Sequence, residues 1–245
     1  MIEGDCHLSC SAISRITDIE ETSVRRILKQ ELGKKSLCSR WAPHILTNNN
    51  KRIRVTCCQV MLNAYSTRRA KEKIIVIDEK WIYLRDVPPK ECSRKVMIIV
   101  ASNYAMSLRY FELLHDGGSI NAERYLQFLK NMISNFQTRV PVWELVIQHD
   151  NARPHIAQLI RLWLEEHRVS LLKQPPYSPD TNLMDRYIFR NYECYRRGRN
   201  FSNSGEVSKN FRQYLESTSK AKLTEEFQNF TRHLQSVIDA YGDYV

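Results

Sequence analysis

The sequence contains no apolar run near the roughly 18 residues that a membrane-spanning helix requires. Its start, Met1–Asp5, carries two acids and lacks the basic-then-apolar order of a signal peptide. The seven cysteines form neither a CxxC pair nor a regular disulfide framework. These absences argue against export, membrane insertion and a disulfide-stapled fold, and they predict reduced thiols in a cytosolic or nuclear protein.

No internal repeat or low-complexity tract interrupts the 245 residues, and the content of 42% hydrophobic and 26% charged residues is close to that of packed globular proteins. The length predicts one large domain or two unequal ones. Thirty-seven Lys and Arg residues against 27 Asp and Glu residues leave a formal charge of +10. A basic surplus can serve solubility alone, but it also suits a nucleic-acid partner, so the positions of the charges have to decide.

Residues 8–32 have the pattern of two short helices separated by a turn, with apolar residues on one face of the second helix and basic residues on the other. This pattern predicts a helix-turn-helix domain over residues 1–40. The residues placed to reach a DNA major groove are Arg25, Arg26 and Lys29. The residues placed to contact DNA phosphates are Lys34, Lys35 and Arg40. A solvated, charged surface helix is the alternative for this segment.

The rest of the chain divides into a linker with a basic amphipathic helix, residues 41–73, and a larger domain, residues 74–245. The larger domain has the element order β-β-β-α-β-α-β-α-α, which predicts an α/β fold. Three or four successive strands open this domain, from the β-rich runs Ile74–Ile77, Trp81–Leu84, Val96–Ala101 and Leu108–Leu114, and the later strands are Trp143–Ile147 and Val169–Leu172. The predicted helices are Lys51–Leu62, Asn121–Phe136, His155–His167 and most of the chain from Leu183.

Two acids, Asp78 and Asp150, each follow a predicted buried strand. If these strands are neighbours in one sheet, both carboxylates emerge at the same edge, where phosphates and metal ions can reach them. The rigid passage Pro175–Pro179 precedes a helix that contains Asp185. This helix can bring a third acid to the same edge.

Three converging carboxylates raise each other's pKa unless a cation neutralises them. Mg²⁺ and Mn²⁺ prefer oxygen ligands, and two such ions stabilise both the attacking and the leaving oxygen of an in-line phosphoryl displacement. The predicted chemistry is therefore metal-dependent cleavage or transfer of phosphodiesters. Any one of the three acids taken alone is more often a turn or helix-cap residue, so the hypothesis depends on all three converging.

Two further features carry a more specific signal. One is the spacing of the last two acids, since Asp185 lies 185 − 150 = 35 positions after Asp150, and the other is a set of four longer sequence stretches. These stretches are Ile77–Trp81, Ser119–Tyr125, Gln148–His155 and Pro175–Asp180. Together they resemble the signature of the mariner transposases. Trp41–Thr47 is similar to the linker motif of that family, and Val237–Tyr244 is similar to its C-terminus.

The resemblance implies an RNase H-like catalytic domain, a mixed sheet flanked by helices, in which Asp78, Asp150 and Asp185 hold two Mg²⁺ or Mn²⁺ ions. It implies that water nicks DNA at the transposon ends and that the freed 3′-hydroxyl then attacks target DNA at TA dinucleotides. The expected partners are double-stranded DNA, as inverted repeats and as target, and a second copy of the chain. The expected location is the nucleus, without membrane contact.

Other polar residues near the triad have alternative interpretations. Asp180 lies five residues before Asp185 and follows a proline, so it is interpreted as a turn or helix-cap acid rather than the third ligand. Asn151 and His155 either orient metal ligands and contact a phosphate, or cap a helix. Glu79 is expected to point to the strand face opposite Asp78.

The helix that carries Asp185 also contains two basic residues, Arg186 and Arg190. They are expected to guide a DNA backbone into the acidic site. A solvated helix face is the alternative. The N-terminal segment, residues 1–40, resembles only the second of the two helix-turn-helix units of the family, so the chain is interpreted as truncated at its N-terminus. The stretch Asp86–Arg94 is shorter than the loop that clamps the partner subunit in the family, which puts dimer assembly in question.

Leu183 and Met184 replace the proline and the small residue that usually precede the last acid in the family, which leaves the placement of Asp185 open. Such departures suit a shortened copy of a transposon gene. The alternative function is accordingly a catalytically silent or host-adopted DNA-binding protein derived from a transposase. A general RNase H-like nuclease is a third hypothesis, but it explains the acids without the N-terminal segment.

Overall fold

The computed structural model describes residue 14 and residues 17–31, 45–84, 94–104, 109–114, 119–135 and 140–245. The chain divides into two compact units, Met1–His44 and Ile45–Val245. In the first unit, helix α1 (Glu21–Arg26) continues as the π-helical turn Ile27–Glu31, and Val24 is buried. The rest of the predicted helix-turn-helix lies largely outside the described residues.

The second unit is built on a sheet in which the described residues form five strands. These are β1 (Ile74–Tyr83), β2 (Lys95–Asn103), β3 (Arg109–Leu114), β4 (Val146–His149) and β5 (Ser170–Lys173). The spatial order is β3-β2-β1-β4-β5. Strand β1 is antiparallel to β2 and parallel to β4, and β4 is parallel to β5, so the sheet is mixed as predicted.

Helices cover both faces of the sheet. They are α2 (Asn48–Ala64), α3 (Arg68–Lys73), α4 (Ala122–Asn135), α5 (Gln158–Glu166), α6 (Arg190–Arg196), α7 (Ser204–Ser217) and α8 (Lys220–Asp239). A π-helical turn, Met184–Phe189, runs directly into α6. The Thr47 hydroxyl caps α2 by accepting the Asn50 N–H at 3.1 Å. Across the described ranges, no helix is both long and apolar enough to cross a bilayer.

Strand β1 is buried on both faces, which accounts for its unbroken apolar start. Ile74 and Val76 face the core shared with helices α2 and α6–α8, and Ile75 and Ile77 face the core shared with α4 and α5. Because successive side chains of a strand alternate between faces, the next two residues, Asp78 and Glu79, inherit these two directions. The packed strand thus fixes where each acid can point.

Four predicted elements differ from the structure. Ile74–Ile77 and Trp81–Leu84 belong to one strand, because the polar residues between them continue the ladder with β2, with Asp78 opposite Val100. The strand predicted from Trp143 begins later, because Val142–Glu144 forms a 3₁₀ turn. The helix predicted from residue 155 begins at residue 158, after a series of turns.

Candidate active site

The sheet brings the first two predicted acids together. The parallel pairing of β1 and β4 ends at Val76 opposite Gln148. Two residues further along each chain, the same register places Asp78 level with Asp150. Strand β1 continues beyond this point while β4 ends, so the site forms a step at the edge of the sheet.

The third acid, Asp185, reaches this step from the π-helical turn that precedes α6. Its carboxyl group is within hydrogen-bonding contact of the Asp78 carboxyl group, and it also feels the charge of Asp150. Leu183 and Met184, the two residues that depart from the family pattern, are buried in the core next to it. Their apolar side chains anchor the start of the turn, so the departure does not carry Asp185 away from Asp78.

Asp78 and Asp185 are in an unfavourable electrostatic environment. Burial, the charge of Asp185 and the charge of Glu79 raise the pKa of Asp78 well above its usual value. Burial also raises the pKa of Asp185, although the nearby Lys80 opposes the rise. Two neighbouring buried carboxyl groups are stabilised by sharing a proton or a cation, because two bare carboxylates close together repel each other.

Asp150 is held differently from the other two acids. Its Oδ1 accepts hydrogen bonds from the Ala152 N–H at 2.9 Å and from His155 Nδ1 at 2.7 Å. Burial alone would raise the pKa of Asp150, but these donors bring the pKa below its usual value. Asp150 is therefore ionised at neutral pH, with one of its oxygens fixed by the protein.

His155 bridges two acids on the α4 and α5 side of the sheet. Its Nε2 lies 3.1 Å from Glu79 Oε1, and its ring packs on Tyr125 with centroids 4.1 Å apart. Burial opposes protonation, but the hydrogen bonds to Asp150 and Glu79 raise the pKa of His155 to about 9. Because both ring nitrogens then donate, His155 orients Asp150 rather than capping a helix.

Two residues of the site were missed by sequence reasoning. Glu79 points to the strand face opposite Asp78, as predicted. Its carboxylate is bonded to His155, which in turn is bonded to Asp150. Asn182 is buried, and its amide donates to Asp78 Oδ2 at 2.9 Å while its Oδ1 accepts the Met184 N–H. Asn151, in contrast, donates to the Gln174 carbonyl oxygen at 2.9 Å and ties down a neighbouring turn.

The residues that meet at the step are chemically suited to a divalent ion. Carboxylate oxygens are the ligands that Mg²⁺ and Mn²⁺ prefer, and an ion would relieve the repulsion between Asp78 and Asp185. Within the ranges described above, no group of three or more Asp, Glu, His or Cys side chains is already arranged to hold an ion. Ala152 and His155 both donate to Asp150 Oδ1, so Oδ2 is the oxygen of Asp150 suited to an ion.

Asp180 lies outside this site, in the 3₁₀ turn Pro179–Thr181, which agrees with its interpretation as a turn acid rather than the third ligand. Its two oxygens accept from Arg54 Nη1 at 2.8 Å and from Nη2 at 2.7 Å, and Oδ2 is 3.0 Å from His233 Nε2. Burial would raise the pKa of Asp180, but these two partners lower it to about 2. Asp180 is thus the ionised partner of an internal arginine at neutral pH.

The predicted DNA contacts are only partly described. Arg190 is exposed at the start of α6, and Arg186 is partly buried with its Nε 3.7 Å from Glu226. Arg26 is exposed on α1. The side chains of Arg25 and Lys29 lie outside the described part of the structure, and so do Lys34, Lys35 and Arg40 as a whole.

Comparison with known proteins places these observations in a family. The family model described as DDE superfamily endonuclease matches residues 77–208, which are 132 of the 245 residues and include all three acids. The chain is 26% identical over 265 residues to human histone-lysine N-methyltransferase SETMAR, covering 100% of this chain and 38% of that protein. It is 27% identical over 194 residues to the mariner Mos1 transposase of Drosophila mauritiana, covering 70% of this chain and 56% of that protein.

The chain therefore spans less than two thirds of the length of either relative. The crystal structure of the mariner Mos1 paired end complex with Mg superposes with a TM-score of 0.77 at 23% identity, covering 100% of this chain and 77% of that one. This likeness confirms the predicted fold, a mixed sheet flanked by helices in the RNase H-like arrangement.

Proposed function

The chain belongs to the DDE superfamily of endonucleases and is homologous to the mariner Mos1 transposase, and on that premise we propose that it is a mariner-like DNA transposase. It cleaves DNA and transfers strands through Asp78, Asp150 and Asp185. The observation that carries this proposal is the register that places Asp78 level with Asp150 at the step where β4 ends, with Asp185 beside Asp78.

In this proposal the three acids hold two Mg²⁺ or Mn²⁺ ions. When bound, such ions activate the attacking oxygen and neutralise charge on the leaving oxygen of the phosphodiester. The chain's own residues prepare the ligands: Asn182 orients Asp78, and His155, held by Glu79, keeps Asp150 ionised. The Mos1 complex crystallised with Mg supports the choice of ion.

The proposed substrate is double-stranded DNA, first as transposon inverted repeats and then as target DNA at TA dinucleotides. The formal charge of +10 supports a polyanionic partner. The exposed Arg190 lies five residues after Asp185, where it can hold a backbone phosphate near the acids. Arg186 is the weaker candidate, because Glu226 already pairs with it. A homodimer and a nuclear location belong to the same proposal.

The test is cleavage of DNA that carries the cognate inverted repeat. We expect nicking and strand transfer that require Mg²⁺ or Mn²⁺ and that disappear in Asp150→Asn, with the fold retained in circular dichroism. Glu166→Gln is the matched control, because this acid is exposed on α5 and its loss should leave cleavage unchanged. Equal cleavage by the wild type and Asp150→Asn would disprove the assignment of the triad.

A second experiment separates the transposase from the silent DNA-binding alternative. DNA affinity should fall steeply between about 50 and about 200 mM salt, because phosphate contacts release counterions. Arg190→Ala should lower the slope of log affinity against log salt by about 1 if Arg190 contacts a phosphate. Salt-dependent binding without cleavage under either metal would favour the silent alternative.

A further inference from the structure

Helix α2 carries a fully buried arginine that the proposed chemistry does not use. Arg54 is 0% exposed and pairs with both oxygens of Asp180. Its Nη1 also donates to Ser178 Oγ at 2.7 Å, and its Nε donates to the Gly242 carbonyl oxygen at 2.8 Å. Burying a guanidinium is costly unless its donors are satisfied, and here they meet acceptors from two other segments.

The first of these segments is the C-terminal tail. The Tyr244 ring lies 4.6 Å from the Arg54 guanidinium carbon, and the Tyr244 hydroxyl donates to the Tyr177 carbonyl oxygen at 2.7 Å. Gly242 has φ +85°, and a Cβ atom there would lie 2.1 Å from the Lys51 carbonyl oxygen. Only glycine fits this close approach, so the tail is locked between α2 and the loop that contains Tyr177.

The second segment is residues 178–182, which we call the acid loop because it leads to Asp185. Beyond Arg54, the acid loop is fixed by Gln148, whose amide donates to the Thr181 carbonyl oxygen at 3.1 Å. Its last residue, Asn182, donates to Asp78. The acid loop is therefore bonded to Arg54 through Ser178 and Asp180 and, at its other end, to Asp78 through Asn182.

We propose that Arg54 is a positioning residue for the active site, which fixes the acid loop so that Asn182 and Asp185 meet Asp78. Arg54 acts through Ser178 and Asp180 and does not touch the acids of the site itself. The effect on metal binding rests on the proposed function, because it requires Asp185 to be a metal ligand. The effect on the acid loop does not depend on that function.

The chemistry of the pair favours positioning over simple stabilisation. Replacing a buried ion pair by apolar residues of similar volume is often neutral or stabilising, so stability alone does not require Arg54. A guanidinium, however, is a rigid planar fork that dictates where its acceptors lie. Arg54 uses this fork to hold Asp180 and Ser178 in one orientation.

The decisive experiment compares the single variant Arg54→Met with the double variant Arg54→Met/Asp180→Leu. The double variant removes both charges and should recover most of the stability that the single variant loses. Lys51→Ala is the matched control, because Lys51 lies one turn earlier on α2 and pairs with Asp243 of the tail without touching the acid loop. Ser178→Ala is a mild variant that removes one acceptor of Arg54.

Three quantities are measured on the full chain. Mn²⁺ affinity is measured by electron paramagnetic resonance, hydrogen exchange of the metal-free 177–189 peptide by mass spectrometry, and stability by thermal unfolding. We expect Arg54→Met and the double variant to bind Mn²⁺ about tenfold more weakly and to exchange faster in the acid loop, as supporting residues of metal sites typically do. Ser178→Ala should change both quantities in the same direction but less, and Lys51→Ala should change neither.

A double variant that recovers stability, acid-loop protection and Mn²⁺ affinity together would overturn the proposal, because Arg54 would then be purely structural. If Arg54→Met does not fold, Ser178→Ala and the double variant decide by the same readouts. A wild type that binds no Mn²⁺ would overturn the proposed function instead. In that event, unchanged acid-loop exchange in Ser178→Ala and the double variant would also overturn the positioning role.

Discussion

Two aspartates five residues apart, Asp180 and Asp185, meet opposite environments in this molecule. Both are partly buried, but Asp180 faces the cations of Arg54 and His233, and its pKa falls to about 2. Asp185 faces another acid, Asp78, and its pKa rises because burial is not offset by a paired cation of the protein. Residue type and degree of burial are similar, so the partners account for the difference.

The contrast separates an acid that the protein neutralises from one that it does not. A buried charge persists only when something neutralises it. At Asp180 the protein supplies the neutralising charge, so the acid contributes to the fold. At Asp185 the protein leaves that role to a bound ion or a proton, as expected of a site whose stability is sacrificed for function.

The largest expected difference between the two acids is in catalysis. Asp185→Asn should reduce single-turnover DNA nicking by about a thousandfold or more, because bound metal ions contribute several kcal/mol to the transition state. Asp180→Asn acts only through the acid loop and should reduce nicking by about 10- to 100-fold. Both rates are measured at saturating DNA and metal. Equal losses in the two variants would abolish the distinction.

Folding stability should rank the same two acids in the opposite order. Asp180→Asn leaves the Arg54 guanidinium buried without its ionic partner, and we expect a loss of about 3 kcal/mol in the free energy of unfolding. Urea unfolding of the metal-free protein measures it. Glu166→Gln, an exposed acid-to-amide change, should stay within about 0.5 kcal/mol of the wild type. A loss at Asp180 no larger than in this control would show that the ion pair is not structural.

The pH dependence of stability tests the same ion pair by its sign. Because the pKa of Asp180 is about 2 in the folded protein and 3.8 ordinarily, its contribution is fully present above its ordinary pKa and is lost as the pH falls through the folded value. The stability difference between wild type and Asp180→Asn should therefore narrow by roughly 2 kcal/mol between about pH 5 and about pH 2. A stability difference between the two proteins that stays constant over this pH range would contradict the lowered pKa of Asp180.

The sequence was sufficient to predict the mixed sheet and to propose the three acids, but not the contacts that support them. The acids are marked by local signals: apolar runs before Asp78 and Asp150, and a proline-rich passage before Asp185. The supporting contacts are not local. Glu79 and His155 are 76 residues apart, and Asn182 lies 104 residues from Asp78.

Arg54 shows most clearly why the sequence pattern could not predict these supporting contacts. It belongs to a predicted basic amphipathic helix, and such helices usually turn their charges to solvent. In the fold, Arg54 is instead buried, because Asp180, 126 residues away, meets it inside the protein. The error at Trp143 has a different cause: an apolar run resembles a strand, yet Trp143 is 64% exposed in a 3₁₀ turn.

The smallest expected effect is also the sharpest test of the contrast between the two acids. Removing the negative charge of Asp185 relieves its repulsion with Asp78, so Asp185→Asn should make the metal-free protein more stable by about 1 kcal/mol. Urea unfolding at neutral pH with a chelator measures the gain. Added Mg²⁺ should stabilise the wild type, since an ion that binds only the folded state shifts the equilibrium, and should stabilise Asp185→Asn far less. If Asp185→Asn were instead less stable than the wild type without metal, Asp185 would be a structural acid like Asp180, and the stability cost assigned to the metal site would not exist.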